Sequence, residues 1–193
     1  MQTCTVGFYG KYIPLQGVPY IVRAAAHPLC KDIAFTLIGS GQTYAQVRTL
    51  AQELGVANIT FMERIPYATL IERMRSFDIV LGVFGDTPKA RAVISNKLYD
   101  AAMLGKPLIT ADTPAVRELF TDGKDICLVP GADSEALAHA IHTLAQDSEK
   151  RTLLGRAIRA TYEMYATPEA IGAELRRVLE ARLVGGRAEV TGI

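Results

Sequence analysis

Residues 96–110 read NKLYDAAMLGKPLIT and predict a helix, a turn and then a strand. Leu98, Ala101 and Ala102 fall on one helical face, because residues three or four apart lie on the same side of a helix. Gly105 and Pro107 end the helix, and the apolar run after them is typical of a buried strand. The stretch therefore predicts one helix–strand unit of an alternating α/β fold.

The same alternation continues along the chain in both directions. Short apolar or β-branched runs predict strands at 5–9, 33–38, 58–61, 79–84, 107–110 and 126–129. Amphipathic helical segments separate these runs, and three more follow the last one, at 134–146, 148–165 and 168–183. Most strands are apolar at consecutive positions, as expected when helices cover both faces of a parallel sheet. We predict an α/β fold, a Rossmann-like doubly wound parallel sheet of about six strands, over residues 1–184, with a flexible tail at 185–193.

The composition narrows the classes of function. The chain has 193 residues, enough for one domain, and its 21 basic and 20 acidic residues give a net charge of +1. This balance argues against nucleic-acid binding, which usually requires a basic patch. The three cysteines lack the spacing of a zinc site or a disulfide framework. This cysteine pattern favours a reducing cytoplasm, and since no run approaches the ~20 apolar residues that span a bilayer, we expect no transmembrane segment.

Candidate binding residues lie in the loops that follow the predicted strands. Ligands of an open parallel sheet bind beyond the carboxyl ends of its strands, where loops and helix N-termini expose backbone amides. The first such loop runs from Gly10 to Gly17 and carries Lys11, which suits an anion such as a diphosphate. The alternative interpretation is a plain tight turn with a solvated lysine.

A second candidate lies in the polar segment 84–100. The amides near Asn96 and Lys97 begin a helix and favour an anion. Asp100 lies one turn further on the same face, where its carboxylate could accept hydrogen bonds from ribose hydroxyls. The alternative makes Asn96 an ordinary N-cap and Asp100 a solvated helix residue.

The common nucleotide motifs are incomplete in this chain. Residues 39–44, GSGQTY, begin like a dinucleotide fingerprint, but Tyr44 stands where the third glycine belongs, so we interpret them as a structural turn. This disfavours an NAD-linked dehydrogenase, and the sequence has no Walker-type loop, which disfavours a P-loop ATPase or kinase. A receiver domain is disfavoured because no acidic cluster follows the first strand.

In their order and spacing, several segments resemble the C-terminal domain of glycosyltransferase family 4, the retaining enzymes with the GT-B fold. The segments are Gly10-Lys11 with Gln16-Gly17, FTLIGSG at 35–41, LGVANITF at 54–61 and, most specific, the stretch at 96–110. The resemblance extends from Val6 to about Leu183. It implies that the chain is one half of a GT-B fold and binds a nucleotide-sugar donor.

The resemblance also implies a donor-binding site. Its members are Gly10, Lys11, Gln16, Arg64, Ile65, Leu70, Asn96, Lys97, Leu98 and Asp100. Lys11 matches a basic residue that contacts the donor diphosphate, and Asn96 and Lys97 match the stretch whose backbone amides meet it. We assign Lys11 and Lys97 the catalytic role of stabilising the leaving diphosphate.

The other implied contacts hold the nucleoside. Arg64 and Ile65 match the loop that frames the base, and Leu70 matches a residue that packs on it. Asp100 matches the second acid of the family's E-x7-E motif, which holds the ribose.

The chain departs from the family pattern at three positions. Gln16 stands where a second basic residue is usual, and Ala92 stands where the first glutamate faces the donor sugar. Asp100 is one methylene shorter than the usual glutamate. Because a phosphate needs only a nearby, well-aimed donor, another basic side chain can supply the missing charge. The candidates are Lys89, Arg91 and Lys97.

The resemblance implies that the full-length protein transfers a sugar from a nucleotide-diphosphate sugar, with UDP the expected nucleotide, and that this domain alone is inactive. An N-terminal domain is expected to bring the sugar or lipid-linked acceptor, with membrane association left open. We expect no metal ion, because no His or Asp ligands cluster in the sequence. Two alternatives stay open: a non-catalytic nucleotide-binding module, favoured by Ala92, and a GT-B nucleotide-sugar epimerase.

The last helical segment allows two interpretations. Its apolar residues are Ile171, Leu175, Val178 and Leu179. In the family the last helix packs toward the other domain, which implies that these side chains are exposed when this domain stands alone. The alternative is that they close this domain's own sheet.

Overall fold

The protein is built on a six-stranded parallel sheet. The computed structural model describes residues 3–188. The strands are β1 Thr5–Tyr9, β2 Ala34–Ile38, β3 Ile59–Met62, β4 Ile79–Leu81, β5 Leu108–Ala111 and β6 Cys127–Val129. Their order is β3-β2-β1-β4-β5-β6, and every neighbouring pair is parallel. The predicted Rossmann-like sheet is confirmed.

Helices cover both faces of this sheet, as predicted. They are α1 Val18–Ala26, α2 Tyr44–Glu53, α3 Tyr67–Arg75, α4 Pro88–Arg91, α5 Asn96–Met103, α6 Pro114–Arg117, α7 Ser134–Gln146, α8 Ser148–Tyr165 and α9 Pro168–Ala188. Because side chains alternate along a strand, Ile79 and Leu81 of β4 belong to the apolar cluster with α1 and α7. Val80, between them, belongs to the cluster with α3 and α5. The sheet thus separates two halves of one core.

Local details differ from the sequence prediction in the middle of the chain. β4 ends at Leu81 rather than at 84, because the hydroxyl of Thr110 accepts a hydrogen bond from the Val83 amide at 3.0 Å in place of a strand partner. The two short helices α4 and α6 are absent from the prediction. Both begin with a threonine cap followed by proline, and the caps are Thr87 and Thr113.

The C-terminal helices α8 and α9 follow the last strand, and α8 contributes Leu154 and Ile158 to the core. α8 packs on α5, and α9 contacts α8. The apolar residues of α9 named above are between 41% and 58% exposed, so they do not close this domain's own sheet.

The predicted tail begins inside α9, which runs to Ala188, and residues 189–193 lie outside the described residues. None of the helices between residues 3 and 188 combines the length and apolar character needed to cross a membrane.

The sheet has one point at which its winding reverses. β1 pairs with β2 on one side and with β4 on the other, with Val6 beside Ile79 in the second pair. The connections after β1 and after β4 therefore leave in opposite directions and open a crevice beyond the carboxyl ends of these two strands. In sheets of this kind the crevice is the usual place for a ligand.

Candidate functional site

Two loops meet at this crevice and fix each other's backbone. The amide of Phe84 donates to the carbonyl of Gln16 at 3.1 Å, and that of Gly85 donates to the carbonyl of Leu15 at 3.2 Å. Gly17 packs on the same segment with a left-handed φ of 67°, and a Cβ added there would lie 2.4 Å from the Gly85 nitrogen. Only glycine satisfies both conditions. The loop after β1 is therefore held firmly at the end of β4.

A buried lysine lies between the two loops. Lys97, on the first turn of α5, is only 4% exposed. Its ammonium group donates to Gln16 Oε1 and, at 3.4 Å, to the carbonyl of Gly82, and it lies 4.0 Å from the centre of the Phe8 ring. These partners are all neutral, and no carboxylate between residues 3 and 188 forms a salt bridge with it. Burial lowers the pKa of Lys97 well below its ordinary value.

The environment of Lys97 favours an incoming anion. A buried charge without an opposite charge is costly, because neutral groups replace only part of its hydration. An anion at the crevice would offset that cost and favour the charged form of the lysine. A Cβ added at Gly10 would lie 3.1 Å from the ammonium nitrogen, so a larger residue there would crowd the cation.

The contact with Gln16 distinguishes the three basic residues that could replace the positive charge missing from the loop after β1. Of the three candidate basic residues, Lys97 is the one that reaches Gln16. Lys89 and Arg91 are exposed on α4. Of the three candidates, Lys97 is therefore the one whose side chain lies beside position 16.

The amino end of α5 has no side-chain cap. Ser95 is the N-cap residue and makes no capping hydrogen bond, so Asn96 is not the N-cap. Asn96 is exposed at the first helical position, whereas the Leu98 side chain is buried. The backbone amide of Leu98 donates to the Ser95 carbonyl at 2.9 Å. The amides of Asn96 and Lys97 thus have no side-chain acceptor in front of them, which is the arrangement that binds anions at helix ends.

Asp100 is held by two tyrosine hydroxyl groups. Tyr9, the last residue of β1, donates to Oδ2, and Tyr67, the first residue of α3, donates to Oδ1 at 2.7 Å. Burial and the bond to Asp100 raise the pKa of Tyr9, and the bond to Asp100 and then burial raise the pKa of Tyr67 to about 12. Both hydroxyls are therefore protonated donors at neutral pH. Asp100 is not a freely solvated helix residue, and the sequence analysis missed both tyrosines.

The remaining predicted site residues lie at different depths around this centre. Lys11 is exposed on the loop after β1, and Ala92 is exposed at the end of α4. Arg64 is exposed and Ile65 half-buried in the loop after β3, at the same edge of the sheet. Leu70 is buried in the cluster between α3 and α5. The structure therefore brings Gly10, Gln16 and Lys97 into contact, places Asp100 on the next turn of α5 with Tyr9 and Tyr67 as its partners, and leaves the others at the rim or in the core.

A basic cavity at the opposite edge of the sheet has a structural explanation. It has a volume of about 470 Å³ and lies beside Phe77 and Pro107, which precede β4 and β5. Lys106 donates there to the carbonyls of Arg75 and Phe77, at 2.5 Å and 2.8 Å. Arg151 donates to two carbonyls near the end of α7. These cations satisfy helix-end and loop carbonyls rather than a ligand.

Metal ligands do not gather anywhere in the part of the chain that the structure describes. No group of three His, Cys, Asp or Glu side chains there could hold an ion.

The fold and the crevice together define a class, the Rossmann-like domains with an uncapped helix end at the point where the sheet reverses. Residues 3–147 match the family described as Glycosyl transferases group 1, and the chain belongs to this family. Over 164 residues it is 27% identical to the D-inositol 3-phosphate glycosyltransferase of Corynebacterium glutamicum (strain R), an alignment that covers 80% of this chain and 38% of that protein.

Solved structures share the fold over most of the chain. The C-terminal domain of the group 1 glycosyl transferase LpcC from Francisella tularensis aligns with a TM-score of 0.74 and 18% identity, covering 86% of this chain and 87% of that one. HepE of Anabaena, solved with UDP and glucose, aligns with a TM-score of 0.76 and 19% identity, covering 93% and 48%. The chain spans less than half the length of the curated relatives it matches.

Proposed function

We propose that this chain binds the diphosphate of a nucleotide-sugar donor at the carboxyl ends of β1 and β4, as the donor-binding part of a retaining glycosyltransferase. The observation that carries the proposal is the buried ammonium group of Lys97, which has only neutral partners among the described residues and lies beside the uncapped end of α5. Both features favour an anion at the same place. A diphosphate carries that charge and is also the leaving group of the reaction.

The chemistry of transfer explains why the charge matters. The bond between the anomeric carbon and the diphosphate oxygen breaks, and its electron pair leaves with the diphosphate. The acceptor hydroxyl oxygen bonds to the anomeric carbon, and its proton is released to the diphosphate. Negative charge therefore grows on the diphosphate as the reaction proceeds, and preorganised positive groups stabilise it. We propose that Lys97, Lys11 and the amides of α5 do this without a metal ion.

We propose UDP as the nucleotide. HepE, whose fold this chain shares, was solved with UDP and glucose. Arg64 and Ile65 lie in the loop that leads to Tyr67, whose hydroxyl donates to Asp100. These residues are proposed to frame the base.

The acceptor is proposed to bind to a further part of a longer protein. The curated relatives are more than twice as long as the stretch they share with this chain. The exposed apolar side chains of α9, such as Leu175 at 58% exposure, offer a surface for that part to cover. We therefore expect this chain alone to bind the donor without transferring its sugar.

A non-catalytic nucleotide-binding module is the second candidate. Ala92 is exposed at the end of α4 and cannot supply the carboxylate that faces the donor sugar in the family pattern. Such a module would keep the diphosphate site and lose transfer. Donor hydrolysis or transfer by the longer protein would exclude it.

A panel of thermal unfolding measurements tests the binding proposal. Saturating UDP, GDP, ADP, NAD and inorganic pyrophosphate are added separately to the chain. A ligand at 100 times its Kd stabilises the folded state by about 2.7 kcal/mol. We expect UDP to raise the Tm most, with pyrophosphate giving a smaller rise. If no nucleoside diphosphate and no pyrophosphate raises the Tm, the proposal is wrong, and a rise with GDP or ADP alone would correct the nucleotide.

A further inference from the structure

Lys97 lies against the face of an aromatic ring. Its ammonium nitrogen is 4.0 Å from the centre of the Phe8 ring and 5.7 Å from the centre of the Tyr9 ring. A ring face attracts a cation within about 6 Å, and the attraction is strongest where water is excluded. Phe8 is fully buried and Lys97 is nearly so, which places their contact among the strong ones.

The lysine crosses the end of the sheet to reach this ring. Phe8 belongs to the apolar cluster on the α1 side of the sheet. Leu98 and Ala101, on the helix that carries Lys97, belong to the cluster on the other side. The Lys97 side chain therefore passes over the carboxyl ends of β1 and β4, where it also donates to the carbonyl of Gly82. This route places its ammonium group at the floor of the crevice.

The ring of Phe8 has a fixed place in the fold. Phe8 lies in β1 beside Leu37 of β2, and its ring meets that of Tyr12 at 88°, with the ring centres 6.3 Å apart. A Cβ added at Gly10 would lie 3.4 Å from Phe8 Cζ and 3.1 Å from the Lys97 nitrogen, so Gly10 leaves only the room that the contact requires. The ring therefore offers the cation a defined position.

The contact offsets part of the cost of a buried charge. Burial lowers the pKa of Lys97, because its ammonium group loses most of its hydration. The ring face favours only the charged form of the lysine, since the attraction comes from the negative face of the ring quadrupole. A diphosphate requires that charged form. A cation that is already charged and in place binds an anion without the cost of reorganisation.

We propose that Phe8 is a positioning residue for diphosphate binding, because the face of its ring holds the Lys97 ammonium group charged and directed to the crevice. This inference rests on the proposed function, since it needs Lys97 to contact a diphosphate. Phe8 is fully buried, so it acts on the ligand only through Lys97. An ordinary core residue would behave differently, because its role would depend on the shape of the ring and not on its electron density.

Fluorination of the Phe8 ring tests the proposal with little change of shape. Fluorine withdraws electron density from the ring face and is only slightly larger than hydrogen, so the cation is held less strongly in the same space. Phenylalanine with one, two or three ring fluorines is placed at position 8 by suppression of a stop codon. Calorimetric titration then measures the affinity for UDP and for inorganic pyrophosphate. We expect both affinities to fall stepwise, by about tenfold with three fluorines.

Two controls separate this effect from a change in the core. Phe35 on β2 is also buried in the cluster that contains Phe8, and its ring is not one of those that lie under a cation within residues 3–188. The same fluorines at Phe35 are expected to leave both affinities within about twofold of the wild type. In Lys97→Met, where no ammonium group contacts the ring, fluorination of Phe8 is expected to have no further effect on UDP affinity.

The Phe8 series gives a distinct result for each explanation. A stepwise loss at Phe8 that is absent at Phe35 and in Lys97→Met supports the proposal. Unchanged affinity across the Phe8 series, with UDP still bound, overturns it and leaves the proposed function intact. A loss of the same size at Phe35 or in Lys97→Met overturns it as well, because the effect then does not depend on the cation. Absence of binding of every nucleoside diphosphate and of pyrophosphate by the wild type overturns the proposed function and this inference together.

Discussion

Replacing Lys97 by methionine separates a binding role from a structural one. Methionine has a similar length and fills the same space without charge. The substitution removes a buried cation, which relieves its desolvation, and it leaves two neutral acceptors, Gln16 Oε1 and the Gly82 carbonyl, without their donor. The second effect costs about 1–3 kcal/mol, and the first offsets it by a similar amount. We therefore expect the free energy of unfolding to change little.

The effect on nucleotide binding is expected to be large. A hydrogen bond to a charged group contributes about 1.5–3 kcal/mol, and each 1.4 kcal/mol is a tenfold change in affinity. Lys97→Met is therefore expected to weaken UDP binding by roughly 10- to 100-fold. Calorimetric titration measures this loss, and thermal unfolding of the same sample measures stability.

Lys106→Met is the matched control at the other end of the sheet. Lys106 also donates to backbone carbonyls, but beside the N-terminal ends of β4 and β5. Its replacement is expected to lower the Tm and to leave UDP affinity unchanged. An affinity of Lys97→Met within about twofold of the wild type, together with a lower Tm, would refute the binding role and make Lys97 a structural cation.

Three further predictions follow from the same structure. Because the pKa of Lys97 is lowered in the folded state, the unfolded chain binds more protons than the folded chain between that lowered value and 10.5. The free energy of unfolding should therefore rise with pH across this window. Denaturant unfolding at several pH values should show a smaller rise in Lys97→Met than in the wild type. Gly17→Ala is expected to lower the free energy of unfolding, measured in urea, by about 2 kcal/mol or more, since its φ is 67° and its Cβ would meet Gly85. Gly172→Ala, with open space around it, should be neutral or stabilising, and equal effects would contradict the close packing of Gly17 on Gly85. Leu175→Glu on α9 should change the free energy of unfolding of this chain by at most about 0.5 kcal/mol, because the side chain is exposed. It should destabilise a longer protein in which this surface is covered. Scanning calorimetry of this chain and of the longer protein, each with and without the substitution, measures the difference.

Local patterns were sufficient to predict the sheet. The predicted first strand has the same bounds as β1, because a short apolar run between polar segments has few other ways to be buried. The ends of β4 depended on Thr110, which lies in another strand, and could not be predicted from the run itself. The helices α4 and α6 did have a local signal in their Thr-Pro starts, which the analysis of apolar periodicity passed over.

The site was predicted in part, because its members were visible but their partners were not. Lys97 stood out at the start of a helix, yet its contact with Gln16 joins residues 81 positions apart. The tyrosines on Asp100 are also far from it in the sequence, Tyr9 by 91 positions and Tyr67 by 33. Such contacts depend on strand order and on how deeply each helix packs, and neither is encoded in a local pattern.

The strand order also has a consequence for how the protein assembles. β1, β2 and β3 are neighbours in both sequence and space, but β4 must return across them to reach the free edge of β1, and the resulting hydrogen bond between Thr5 and Asp78 spans 73 positions. Closing that long loop loses chain entropy before the new contacts form, so it is expected to be a slow step. A growing polypeptide would therefore lack the crevice between β1 and β4 until α5 has left the ribosome, however early the first three strands have folded.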